Sequence, residues 1–195
     1  MSRANRFDRG DFETRYANDE TQTPDASPVS TPSMAIAPAT PSARGAAWPI
    51  RGAQLERVGE SVLKDRDGKG RPHKGIDLFA AAGSDVLSST DGLVLRVVDG
   101  RNGETVAQRR AGLFVDVRSG DGFIYRYLHL GVAQVTQGQS VTQGSVIGKV
   151  AAAFTSGLRG APHLHFEIRQ GDYDSDKQDY GRPVDPARRL PPLRA

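Results

Sequence analysis

The chain has 195 residues, no cysteine, and 26 Lys+Arg against 23 Asp+Glu, a formal charge of +3. That length suits one domain plus a tail rather than two large domains. The missing thiols exclude disulfides and thiolate metal ligands, so any metal must be held by His and carboxylate.

The basic excess lies outside the N-terminal stretch. Residues 1–47 carry 5 Lys+Arg against 6 Asp+Glu, which leaves 21 against 17, a net of +4, for the rest. An anionic partner such as a wall polymer fits that balance, although it is ordinary for a soluble enzyme. No basic run interleaves with aromatics, so no nucleic-acid partner is expected. No stretch approaches the ~20 apolar residues of a membrane span, so no membrane insertion is expected either.

The opening Met-Ser-Arg-Ala-Asn-Arg-Phe-Asp-Arg-Gly-Asp has no apolar run after its charges and does not read as a Sec signal. Residues 1–47 are rich in Pro, Ser, Thr and Ala without apolar periodicity, which predicts a disordered arm. The texture changes at Trp48, where Trp-Pro-Ile-Arg-Gly opens the expected domain, 48–195. Residues 92–99, Gly-Leu-Val-Leu-Arg-Val-Val-Asp, are β-branched and predict a strand. Residues 99–112 are polar and turn-rich and read as a surface loop that could wall a groove.

Residues 112–130 read as a hairpin around Ser-Gly-Asp-Gly, with Tyr125, Tyr127 and His129 expected on one face of its second strand. Further strands are expected at 145–150 and 162–170. Residues 171–181 form an acidic loop without the Gly and terminal Glu of a calcium-binding loop. No segment holds a helical period. The expected fold is therefore mainly β: an antiparallel sandwich or open barrel with few or no long helices.

Four histidines stand in distinctive settings: His73 in Pro-His-Lys-Gly-Ile-Asp with Asp77 four residues on, His129 ending Tyr-Leu-His-Leu, and His163 and His165 in Pro-His-Leu-His-Phe-Glu. On a strand, His163, His165 and Glu167 project to one side, and Leu164, Phe166 and Ile168 to the other. A buried imidazole needs partners for both nitrogens, so a paired set points to metal or catalytic use. A catalytic zinc takes three His or carboxylate ligands and leaves a fourth position open.

In that order, Pro-His-Lys-Gly-Ile-Asp-Leu, Asp-Gly-Leu-Val, Tyr-Leu-His-Leu, Val-Thr-Gln-Gly-Ser-Val-Ile-Gly, Pro-His-Leu-His-Phe-Glu-Ile-Arg and Pro-Val-Asp-Pro resemble the lysostaphin/LytM-type peptidoglycan endopeptidases over about residues 48–190. The resemblance implies an antiparallel β fold with a groove over the sheet and one Zn2+ per chain. It also implies hydrolysis of peptide cross-links in peptidoglycan. By motif position, His73, Asp77 and His165 would be the zinc ligands, and His129 and His163 the unligated pair, one a general base and the other an oxyanion donor. Which is which stays open.

Three features depart from the family pattern. No tyrosine lies between Tyr16 and Tyr125, where some members carry one before the first zinc histidine. The turn before Pro-His-Leu-His reads Val-Ala-Ala-Ala-Phe-Thr-Ser-Gly-Leu-Arg-Gly-Ala. No Sec signal is legible. The expected protein is thus a peptidoglycan hydrolase of D-Ala to diaminopimelate cross-links, delivered to a periplasm or cell wall as a secretion-system effector or phage lysis enzyme, with an immunity or delivery protein as partner. The alternative is a non-catalytic wall-binding or regulatory module with a structural zinc.

Overall fold

Short runs of β-branched and aromatic residues, broken every few positions by glycine or a polar turn, leave this chain little material for helices and much for strands. The computed structural model describes residues 45–52, 72–175, 177 and 179–193, all within the unit Ala37–Ala195. The arm expected over 1–47 lies outside the described residues up to position 44. Ala46 packs on the core, and the Ala47 N–H donates to the Ser89 carbonyl at 2.8 Å.

Among the described residues nine strands join one sheet: β1 (Ile76–Phe79), β2 (Asp85–Leu87), β3 (Gly92–Asp99), β4 (Leu113–Ser119), β5 (Phe123–Ala133), β6 (Ser140–Val141), β7 (Val146–Val150), β8 (His163–Asp174) and β9 (Asp179–Val184). The main path is β1-β8-β5-β4-β3-β6. In addition, β7 pairs with β2 and β5, and β9 pairs with β8, every pairing being antiparallel. The sheet does not close, and the fold is mainly antiparallel β, as its composition predicts. The described residues include no helix long and apolar enough to cross a membrane.

Two stretches expected as loops contain regular structure. Within 99–112 a short helix, α1 (Val106–Ala111), forms because Thr105 and Gln108 cap each other: the Gln108 N–H donates to Thr105 Oγ1 at 3.1 Å, and the Thr105 N–H to Gln108 Oε1 at 2.8 Å. Six residues are too few for a helical period to show. Within 171–181 the chain forms the β8–β9 turn, with Tyr173 opposite Tyr180 and their rings 5.1 Å apart. Of its acidic residues, Asp179 pairs with the arginines described below.

The two faces of the central strands differ in kind. One carries the apolar core: Val115 and Val117 of β4, Tyr125 and Tyr127 of β5, and Leu164, Phe166 and Ile168 of β8, all at most 1% exposed. Buried Tyr127 keeps its hydroxyl satisfied by accepting the Ser89 N–H at 2.8 Å, and burial pushes its pKa up to about 12. The other face carries Asp116, Arg126, Glu167 and Arg169, also buried but charged. Register places Arg126 opposite Glu167 and Leu128 opposite His165, so the histidines belong to this second face.

Candidate metal centre

Strand pairing brings the site together. In the β1–β8 ladder Asp77 lies directly opposite His165. Gly75 allows the approach, since a Cβ there would meet the Phe166 carbonyl oxygen at 2.1 Å. His73, just upstream of this contact, turns into the same space. His73 Nε2 lies 3.2 Å from Asp77 Oδ1 and 3.0 Å from His165 Nδ1, and His165 Nδ1 lies 2.7 Å from Asp77 Oδ1. All three residues are buried. Their ligand atoms converge on one point and could hold a metal ion.

The spacing suits zinc. Tetrahedral zinc with bonds of ~2.0–2.1 Å sets its ligand atoms about 3.3–3.4 Å apart, so the trio needs only a small outward movement to receive it. The donor set is also of the right kind, two imidazoles and a carboxylate with no thiolate. Burial alone would raise the Asp77 carboxyl, but hydrogen bonds from His165 and His73 override it and hold it far below the usual carboxylate range. Burial would lower His165, yet Asp77 and Glu167 push it up to about 9.

The other two histidines stand beside the trio and outside it. The His129 ring lies 5.2 Å from that of His163 and 5.9 Å from that of His165, centroid to centroid. His163 Nε2 is 3.8 Å from Asp77 Oδ1, and its ring meets the edge of Phe79 at 5.5 Å. Each donates its Nδ1–H to a backbone carbonyl: His129 to Ser156 at 3.0 Å, His163 to Ala161 at 2.9 Å. Both therefore present Nε2 to the space by the trio. Burial and the nearby His165 push His129 down to about 4, so this imidazole is neutral at physiological pH.

His129 reaches this position against strand alternation, which corrects the expectation that it shares a face with Tyr125 and Tyr127. Those tyrosines pack against Phe166 in the core, with ring centroids 6.3 and 5.3 Å away. His129 adopts φ 63, and the ladders on both sides of β5 shift register around Leu130. The left-handed residue rotates the chain so that Leu128 and His129 both serve the charged face and Leu130 returns to the core. Such a conformation costs a non-glycine residue about 1 kcal/mol or more.

All five residues singled out in the sequence thus lie in one cluster. Its supporting residues were not singled out. Ser156, itself at φ 47, receives His129 and ties down the local backbone: its Oγ accepts the Leu113 N–H at 2.9 Å and donates to the Leu130 carbonyl at 2.7 Å. Beneath the trio, Arg126 forks onto Asp116 at 2.7 and 3.0 Å. Asp179 accepts from Arg96 at 2.9 Å, Arg126 at 2.6 Å and Arg169 at 3.0 Å. No local pattern announces these long-range partners. Only the alternation His163, His165, Glu167 was readable beforehand.

Comparisons with known proteins agree with this architecture. The profile of Peptidase family M23 matches residues 71–186. The chain is 36% identical over 145 residues to the cell division protein DipM of Caulobacter vibrioides, covering 74% of this chain and 21% of that protein. It is 35% identical over 97 residues to the peptidoglycan DD-endopeptidase ShyA of Vibrio cholerae, covering 50% of this chain and 20% of the other. A zinc-containing peptidase from Vibrio cholerae superposes with a TM-score of 0.56 at 29% identity, over 73% of this chain and 39% of that one. The chain thus spans about a fifth of the length of these curated relatives.

Proposed function

Because the chain belongs to Peptidase family M23, we propose that it is a zinc-dependent endopeptidase that hydrolyses peptide cross-links of peptidoglycan. The observation that carries the reading is the convergence of His73 Nε2, Asp77 Oδ1 and His165 Nδ1 within 3.2 Å of one another, beside two imidazoles that stay outside the trio. A purely structural site would be closed by a fourth protein ligand. Among the described residues the converging set stops at three, and His129 and His163, with their Nδ1 protons on backbone carbonyls, stand beside it.

In this reading His73, Asp77 and His165 hold the zinc. Bound there, the ion supplies Lewis acidity toward the scissile carbonyl and lowers the pKa of a water. The chain's own residues do the rest. One of His129 and His163 accepts the attacking water's proton at Nε2, and as an imidazolium passes it to the leaving amine. The other orients the carbonyl and stabilises charge on its oxygen. With both Nδ1 protons held on the carbonyls of Ser156 and Ala161, the base offers a bare Nε2, whereas the other ring donates to the carbonyl oxygen only as an imidazolium that carries a proton on Nε2 as well.

The name of one relative, a peptidoglycan DD-endopeptidase, supports D-Ala to diaminopimelate cross-links as the bond cut. Delivery to a periplasm or cell wall, as an effector or a phage lysis enzyme, belongs to the same proposal. Zymography on purified sacculi with wild type, His73→Ala and His163→Ala tests the activity: clearing by wild type alone is expected. Equal clearing by His73→Ala, or none by zinc-loaded wild type, overturns it. Mass spectrometry of released muropeptides identifies the bond.

A further inference from the structure

His165, Glu167 and Arg169 occupy positions i, i+2 and i+4 of β8 and leave one face of the strand. Their side chains are joined in series. His165 Nε2 lies 3.2 Å from Glu167 Oε1, and Arg169 Nη1 donates to Glu167 Oε2 at 2.5 Å. Arg126, directly across in register, brings Nη1 to 3.7 Å from that same oxygen. Glu167 and Arg169 are only 4% and 3% exposed. Burying a carboxylate costs several kcal/mol unless its lone pairs are used. Glu167 directs one oxygen at the two guanidinium groups and the other at the ring nitrogen of His165 that faces away from the trio.

That second contact decides chemistry. A neutral imidazole offers one nitrogen to a metal only when the other holds the proton. His165 faces His73 and Asp77 with Nδ1, so the tautomer required there is Nε2–H, and Glu167 Oε1 is its acceptor. His163, two residues away, is wired in the opposite sense, with Nδ1–H on the Ala161 carbonyl. The two histidines of one His-Leu-His motif therefore present different nitrogens to the same space.

We infer that Glu167, held by Arg169 and Arg126, is the positioning residue that makes His165 an Nδ1 metal ligand. The inference rests on the metal-site reading above and adds the group that selects the ligating nitrogen. In Glu167→Gln the amide can turn its oxygen to the arginines only by aiming its NH2 at His165, which favours the wrong tautomer.

The test uses the full 195-residue chain, with zinc affinity by chelator competition, the His165 Nε2–H proton of the zinc-loaded protein by NMR, and melting of the metal-free protein. Glu167→Gln should weaken zinc binding ~10–100-fold and weaken or shift that proton signal. Asp179→Asn, at the far side of the same ion network, should lower the melting temperature and leave zinc affinity unchanged. Glu167→Asp, which keeps the charge for the arginines but withdraws the oxygen from His165, should also lose zinc affinity, and it serves if the glutamine variant fails to fold. A lowered melting temperature with zinc affinity and the proton signal unaltered overturns the positioning role alone. Wild type that takes up no zinc overturns the metal reading itself.

Discussion

The trio and the pair lie within one cluster yet are held in different ways. Asp77 and His165 depend on a regular antiparallel ladder, opposite each other across β1–β8 with Gly75 letting the strands close, and His73 joins them from the segment just before β1. Behind them stands a buried ion network. His129 owes its place to a left-handed residue in β5, and His163 opens β8 opposite Phe79, but both rings are oriented by loop carbonyls, at Ser156 and Ala161. A metal needs ligands in fixed relation, and two hydrogen-bonded strands fix two of the three. Proton transfer needs an imidazole aimed at one point and oriented by its other nitrogen, and a loop can supply that with a single carbonyl.

The sharpest separation of the two groups comes from ligand removal. His165→Ala should abolish stoichiometric zinc by elemental analysis, together with at least about 10³-fold of kcat/KM on a cross-linked muropeptide. His129→Ala and His163→Ala should each cost about 10²–10⁴-fold in rate while most of the zinc remains. Zinc loss in His163→Ala equal to that in His165→Ala would merge the two groups into one.

The five candidate residues were legible because they stand in short motifs, and strand alternation separates His163, His165 and Glu167 from Leu164, Phe166 and Ile168; the division into trio and pair came only from the family resemblance. The strand at 92–99 was likewise legible from its local pattern. His129 was placed on the wrong face because alternation assumes a regular strand, and nothing in Tyr-Leu-His-Leu signals a histidine at φ 63. Nor could Ser156 be found, since its carbonyl is one that any residue possesses and its Oγ partners, Leu113 and Leu130, lie far off in sequence. α1 was hidden by its length, and Asp179 by its distance in sequence from the arginines it binds.

A smaller effect should follow from two glycines, one on each side of the division. In Gly75→Ala the new Cβ would strike the Phe166 carbonyl, and in Gly112→Ala, at φ 65, it would strike the Ser156 carbonyl oxygen at 2.0 Å. Each clash is with backbone and should destabilise by about 1–3 kcal/mol in thermal or denaturant unfolding. Their functional signatures should diverge. Gly75→Ala spreads β1 from β8 and should weaken zinc binding. Gly112→Ala moves the carbonyl that orients His129 and should lower kcat by about 10–100-fold with zinc affinity kept. Equal zinc loss in both would mean that the loop also supports the metal.

The smallest expected effect lies in the ion network beneath the trio. Burial would raise the Asp179 carboxyl, but hydrogen bonds from Arg126 and the charges of Arg126 and Arg169 hold it down to about 2, from 3.8. A carboxylate depressed in the folded state binds fewer protons there than in the unfolded chain. Its contribution is therefore full above about pH 4 and is lost as pH falls toward 2. Its carboxylate is partly exposed, so solvent screening reduces the contribution to about 1 kcal/mol. Denaturant unfolding of the metal-free protein between pH 6 and 2.5 should show this increment in wild type and not in Asp179→Asn, whose curve should be flatter by that amount. Because Asp179 touches the arginines and neither group of histidines, kcat at neutral pH should change less than twofold. A larger fall, with zinc retained, would mean that the network also orients the proton-transfer pair.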